Sequence, residues 1–296
     1  MHPKTRCLTL IALVLLFVSA PAADAQAPAH TVVYYFPDSV GENTGEIVDR
    51  YQRWIDEELA PALGYELKVR YFSRMKDLED YVELNRGLGT PPLFGALHAE
   101  VAMEKRTRWG LALGAYPVTR DGARNNTISV VVRRDSTLAS LADMRGKTLI
   151  GAEYWGADAA RFERLAFASQ VRLSELAELK LCPSSSSAVM GVYFRSADAG
   201  LVSSRVFDIM ESRTSAIWQN LKVIHQSSPM AIGALVFFSG TGEGDRKIIV
   251  ERAVRGHKTP SGKSWLDYVH LDHLVAGDWT DLFAAADLQP RAEKAP

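Results

Sequence analysis

The chain has 296 residues, with 34 Lys and Arg against 35 Asp and Glu and a formal net charge of −1. That balance gives no support for nucleic-acid binding, which usually shows as a basic surplus, so no nucleic-acid partner is expected. With 47% hydrophobic and 23% charged residues it reads as an ordinary globular protein, long enough for one large domain or two medium ones.

Residues 1–25 stand apart. Lys4 and Arg6 precede an apolar run from Leu8 to Val18, and Ala23-Asp24-Ala25 has the small-x-small pattern of a signal-peptidase site. The run is shorter than the ~20 residues that a permanent membrane helix needs. We therefore expect a cleaved signal peptide, a mature chain from about Gln26 and a periplasmic location. Removing Lys4, Arg6 and Asp24 leaves 32 basic and 34 acidic residues. Cys7 lies before the apolar run, too early for a lipid attachment site. Cys182 is then the single remaining cysteine, which cannot form an internal disulfide, and it reads as a small apolar residue at a strand end.

In chain order, Thr31 to Phe36 is dense in Val, Tyr and Phe and predicts a strand, broken by Pro37-Asp38-Ser39. Gly45 to Leu59 predicts a helix with Ile47, Tyr51, Trp54, Ile55 and Leu59 on one face. A strand over Tyr65 to Phe72, a helix over Met75 to Leu84, a short strand over Pro92 to Ala96 and a helix from about Leu97 to Lys105 follow. This alternation argues for a parallel or mixed α/β sheet.

A second block repeats the pattern. Strands are predicted at Ile128 to Arg133, Lys147 to Ala152, Leu176 to Cys182 and Ala199 to Val202. Between and after them lie helices at Leu138 to Met144, Asp158 to Ser169, Ser184 to Arg195 and Val206 to Met210. The chain changes again near Leu221. Strands at Leu221 to His225 and Ala231 to Phe238 precede helices at about Asp245 to Val254, Lys263 to His270 and Trp279 to Ala286. The expected fold class is α/β with two lobes, each a mixed sheet flanked by helices. The first lobe takes residues 26–126 and 232–288, the second takes 127–231, and 289–296 form a loose tail. Crossing segments are expected near Arg124 to Val130 and Ser227 to Gly233. The cleft between the lobes, at the carboxyl ends of strands, is the default ligand site.

The middle of the chain resembles a known family. Val131-Val132-Arg133-Arg134-Asp135-Ser136-Thr137-Leu138, followed by Ser140-Leu141-Ala142-Asp143-Met144-Arg145-Gly146-Lys147-Thr148, resembles the opening of the second lobe in phosphonate/phosphite-type binding proteins of ABC transporters. Ala188 to Val202 is similar to the family's helix, Gly-x-Ala-Asp turn and strand. Leu221 to Ile224 with Ser227-Ser228-Pro229 resembles its return crossing, and Ser261-Gly262-Lys263 before Trp265 resembles a late glycine-containing segment. The resemblance implies a type II periplasmic binding fold and a hinged clamshell that hands a solute to a permease.

One stretch departs from that family, whose relatives usually carry Asp-x-x-Ser-Thr-Ser-Gly at the start of a second-lobe helix, where hydroxyls and backbone N–H groups hold phosphonate oxygens. Here the equivalent is Glu153-Tyr154-Trp155-Gly156-Ala157-Asp158-Ala159. The hydroxyls are gone and two carboxylates are present. Asp158 either caps the helix or faces the ligand; in the second case it opposes an anion.

The candidate ligand contacts are residues at strand ends and helix starts: Tyr35, Asp38, Ser39 and His98 in the first lobe, and Tyr154, Trp155, Gly156, Ala157, Asp158, Ser185, Ser203 and Arg205 in the second. Tyr34 and Tyr35 point to opposite faces of their strand, so one is expected in the core and one on the rim. His98 is either structural or reaches the cleft. The serines from Ser184 to Ser187 start a helix, and at least one is expected to cap it. Arg205 could bind an acidic group bidentately or sit solvated. His270 and His273 are three apart on an expected helix, but no third metal ligand is visible nearby. Gly240-Thr241-Gly242-Glu243-Gly244 lacks the Lys-Ser/Thr ending of a phosphate loop and reads as a turn. Neither a Gly-x-Ser-x-Gly elbow nor a zinc-spaced Cys/His cluster occurs in the sequence. We therefore expect a monomeric binding protein and not an enzyme, with no cofactor or metal, serving an ABC permease or, alternatively, a membrane sensor.

Overall fold

The computed structural model describes residues 30–36, 43–119, 122, 125–153, 177–204, 206, 210, 215–227 and 230–285. Strand β1 (His30–Tyr35) pairs in parallel with β2 (Leu67–Tyr71) on one side and with β3 (Phe94–His98) on the other. Flanked on both sides and covered on both faces, β1 is buried from Val32 to Tyr35, whereas the edge strand β2 alternates buried and exposed residues. The six-stranded sheet continues through β12 (Gly233–Phe237), antiparallel to β3, then β4 (Ala112–Thr119) and β13 (Leu271–Ala276), in the order β13-β4-β12-β3-β1-β2.

Alternation along β1 divides the core in two. Val33 and Tyr35 pack with Leu78 and Val82 of α3 (Met75–Gly87) and with Val101 and Trp109 of α4 (Ala99–Trp109). Val32 and Tyr34 pack with the helices of the opposite face. There the predicted stripe Ile47, Tyr51 and Trp54 of α1 (Thr44–Trp54), with Ile55 and Leu59 beyond it, is buried throughout. Asn43 caps α1 by accepting the Gly45 N–H at 2.9 Å. The helix loosens to a π turn at Ile55–Leu59 before α2 (Ala60–Leu63), and Gly64 ends it at φ 79°. Helix α1 packs against α8 (Pro260–Tyr268), with the Tyr51 and Trp265 ring centres 4.7 Å apart and those of Trp54 and Trp265 5.7 Å apart.

The second sheet has five strands in the order β10-β6-β9-β7-β8. These are β6 (Ile128–Arg133), β7 (Lys147–Ala152), β8 (Ala177–Cys182), β9 (Ala199–Ser203) and β10 (Leu221–Gln226). β7 is parallel to β8 and β9, and β6 is antiparallel to both β9 and β10. Helix α5 (Ser185–Tyr193) packs on one face through Val189 and Val192, against Val131 and Val202. Ser184 caps it, accepting the Ser187 N–H at 3.2 Å, so one member of the serine run is a cap. A single helical turn, α6 (Ser215–Trp218), leads into β10. The expected short helix after Leu138 is a 3-10 turn, Leu141–Met144, closed by a Ser140–Asp143 capping box. Those backbone and hydroxyl donors hold the Asp143 carboxyl below its usual range.

The chain leaves the first sheet after β4 and returns to it at β12. On the way it forms β5 (Asn125–Asn126) and β11 (Met230–Ala231), which pair antiparallel as a two-stranded ribbon. The molecule is thus a two-lobed α/β protein with two mixed sheets flanked by helices.

Three local readings change. Strands β4 and β13 carry no clear sequence signal, because Gly114 and Pro117 interrupt β4, and β13 mixes Asp272 and His273 into a short apolar run. The short strand expected at Pro92 to Ala96 lies two residues later, so His98 ends β3 and α4 starts at Ala99. The last correction concerns the histidines: His270 and His273 do not share a helix. Helix α8 ends at Tyr268, His270 turns the chain at φ 54°, and His273 lies within β13.

Candidate ligand cleft

Strand direction places the cleft. β1, β2 and β3 are mutually parallel and β4 runs the same way, since both β3 and β4 are antiparallel to β12. The carboxyl ends Tyr35, Tyr71, His98 and Thr119 therefore share one edge of the first sheet, and the chain departs from that edge after Thr119. In the second sheet the carboxyl ends of β7, β8 and β9 are Ala152, Cys182 and Ser203. Ile128, where the chain enters, pairs with Ser203, and Gln226, where it leaves, pairs with Ser129. Both crossings therefore join the two sheets at their carboxyl-end edges, where ligands of open α/β sheets bind.

The crossings are anchored by serine hydroxyls. Thr127 N–H donates to Ser204 Oγ at 3.0 Å while Ser204 N–H donates to the Thr127 carbonyl at 2.7 Å. Ile128 N–H donates to Ser227 Oγ at 2.8 Å, and Ser227 N–H returns a 2.7 Å bond to the Ile128 carbonyl. Each pair is reciprocal, so the backbone where the ribbon meets the second sheet is held by two bonds per serine.

In the first lobe, Tyr34 and Tyr35 are both buried, at 2% and 0% exposure. The expected rim tyrosine is absent because β1 lies inside the sheet with helices on both faces. Next to them Phe36 packs where Gly233 has no side chain; a Cβ there would meet the ring at 2.4 Å. The ring of His98 lies 6.1 Å from that of Phe36. His98 is buried and its Nδ1 contacts the Glu100 carboxylate, itself 13% exposed. Glu100 was missed in the sequence; the available signal was an acid in the first turn of a helix that opens at a strand end.

In the second lobe, Ser185 is wholly buried in the first turn of α5, and Ser203 is buried at the end of β9, where its Oγ accepts the Val206 N–H at 3.4 Å. Cys182 is buried, its Sγ donating to the carbonyls of Gly151 at 3.2 Å and Ser184 at 3.3 Å, as expected of a structural thiol. Glu153 follows β7 and is half-buried. Asp38, Ser39, Tyr154, Trp155, Gly156, Ala157, Asp158 and Arg205 lie outside the described residues, as does the helix expected over Asp158 to Ser169. An open groove of about 520 Å³ lies elsewhere, between α1 and α8, lined by Arg50, Pro260, Lys263, Ser264, Asp267 and Tyr268 and by no strand end. Among the described residues no helix is long and apolar enough to cross a membrane.

Comparison with solved structures gives the same architecture. A binding-protein component of an ABC phosphonate transporter from Pseudomonas aeruginosa superposes with a TM-score of 0.69 at 14% identity, covering 86% of this chain and 84% of that one. PhnD1 from Prochlorococcus marinus, in complex with methylphosphonate, gives 0.68 at 15% identity over 88% and 97% of the two chains. A Xanthomonas citri protein bound to ATP gives 0.66 at 15% identity over the same shares, 88% and 97%. At these identities the likeness is one of fold. No curated protein is similar enough in sequence to count as a match. The sequence profile of the phosphonate periplasmic substrate-binding proteins of ABC transporters matches residues 41–282, most of the chain including both crossings, and the chain belongs to this family.

Proposed function

We propose that the protein is the solute-capturing subunit of an ABC importer, holding a small polar molecule between its lobes and releasing it to a permease. The observation that carries this reading is the meeting of both crossings with the carboxyl-end edges of both sheets. A ligand touching both lobes binds the closed arrangement better than the open one, so closure follows from differential contact alone. The β5–β11 ribbon is the proposed hinge. The lobes divide at residues 126–127 and 231–232, and residues 1–25 act as a cleaved leader.

We further propose that the anion site is altered. The segment from Glu153 to Asp158 offers carboxylates where relatives gather hydroxyls, and Glu100 adds a largely shielded carboxylate, 13% exposed, beside His98 in the first lobe. Two like charges a few ångströms apart in a partly desolvated cleft cost several kcal/mol, ~4 at an effective dielectric near 20. A helix N-terminus returns only ~0.3–2 kcal/mol. A neutral or cationic molecule, stacked on Trp155, suits such a site better than a dianion.

Calorimetry with methylphosphonate, phosphate and phosphite on wild type and Asp158→Ser tests this. Weak wild-type binding that the substitution strengthens is expected. Tight wild-type binding, unimproved in the variant, places Asp158 away from the ligand and ends the altered-site reading. Mass spectrometry of ligand co-purified with native protein tests capture itself, independently of charge.

A further inference from the structure

Two histidines from separate segments of the first lobe come together at the edge strand of its sheet. His257 lies in the 3-10 turn Gly256–Lys258 between α7 (Glu243–Arg255) and α8, and its Nδ1 is 2.9 Å from the Val254 carbonyl oxygen. His273, inside β13, has its Nδ1 2.7 Å from the Asp272 carboxylate. A carbonyl and a carboxylate can only accept. In the neutral rings both protons therefore sit on Nδ1, and both Nε2 atoms keep their lone pairs. The ring centres are 5.7 Å apart, with their planes 57° to one another. Both rings are partly exposed, with the His273 side chain at 34%.

We propose that His257 and His273 form a two-imidazole binding site for a borderline transition-metal cation of the Zn²⁺, Ni²⁺ or Cu²⁺ class, with water completing the coordination. A metal ~2.1 Å from each Nε2 stands ~3.2 Å from each ring centre, which sets the centres ~5.2 Å apart at a tetrahedral angle and ~6.4 Å apart in a line. The observed spacing lies between these limits. The Nδ1 contacts supply what metal-bound histidines ordinarily have, a second acceptor that fixes the tautomer and ring orientation. Imidazole donors select this class of cation over Mg²⁺ and Ca²⁺, which take oxygen ligands. Among the described residues no three His, Cys, Asp or Glu side chains converge on a metal position, so this is an open two-ligand site and not a closed structural one. Sequence spacing paired His273 with His270; the fold pairs it with His257.

Titration of tag-free protein with ZnCl₂ and NiCl₂, by calorimetry and by thermal unfolding, tests the site, with MgCl₂ as the control. One Zn²⁺ or Ni²⁺ per chain and a raised Tm are expected, with no effect of Mg²⁺. His257→Gln and His273→Gln should each weaken binding ~100-fold, and Asp272→Asn, which leaves both ligands in place, ~10-fold, while His270→Gln changes nothing. No binding at millimolar metal overturns the proposal, as does binding that survives both ligand substitutions. If either ligand variant fails to fold, Asp272→Asn decides: unchanged affinity there counts against the site.

Discussion

Gly262 shows how one residue constrains a helix pair. A Cβ at this position would lie 2.3 Å from the Gly256 carbonyl oxygen, which is backbone, and Gly256 itself faces the Trp54 indole at 3.4 Å from where its own Cβ would be. The Gly256 backbone cannot yield without shifting α8 against the 3-10 turn that precedes it, which itself packs on Trp54 of α1. Gly262→Ala is therefore expected to destabilise the protein by ~2–3 kcal/mol, read from urea unfolding. Gly64→Ala meets open space and suffers only from its φ of 79°, so a smaller loss of ~1 kcal/mol is expected there. A third residue carries a pH signature. Burial pushes the His225 imidazole below the ordinary histidine range. The unfolded chain then binds a proton that the folded chain resists, so stability falls as pH drops through the ordinary value of about 6.5. His225→Gln should reduce the slope of stability against pH between about 7 and 5, measured by denaturant midpoints; an unchanged slope would assign the effect to other groups.

At the scale of elements, a buried cation ties α3 to α4. The Lys105 ammonium, 8% exposed, contacts the Glu79 carboxylate of α3 and bonds Glu104 at 2.6 Å. Burial alone would lower its pKa; the two carboxylates outweigh burial and hold it above the usual lysine value. Lys105→Ala removes the cation and leaves two half-buried carboxylates facing each other, a loss of ~2 kcal/mol. Lys105→Met keeps the packing of the stem and should lose less. The difference between the two variants in thermal unfolding separates charge from packing. Most elements of this molecule were legible from their apolar period: the stripe from Ile47 to Leu59 and the runs at β1, β6 and β7 match their burial closely. Strands β4 and β13 were not, because each is defined by pairing with distant segments, β4 with β12 and β13 and the edge strand β13 with β4, Leu274 against Pro117 and Val275 against Tyr116, and neither looks like a strand alone.

For the whole molecule, the proposed cleaved leader is the reading most open to direct test. Expressed from its full sequence in a Gram-negative host, the protein is expected in the periplasmic fraction, with an intact mass that begins near Gln26; retention of the uncleaved chain in the membrane fraction would refute this. The sequence by itself determined the fold class, the two-block order of strands and helices, and the family, since apolar periodicity and the Arg133 to Thr148 motif are local in the chain. It also pointed to strand ends as the place for a site. Tertiary structure alone decided which ends share an edge, that β5 pairs with β11, that Tyr35 is buried and not on a rim, and that His273 meets His257. Each of these depends on contacts between segments whose placement the fold sets. Strand direction, sheet order and helix packing determine such contacts, and no local pattern of residue types encodes them.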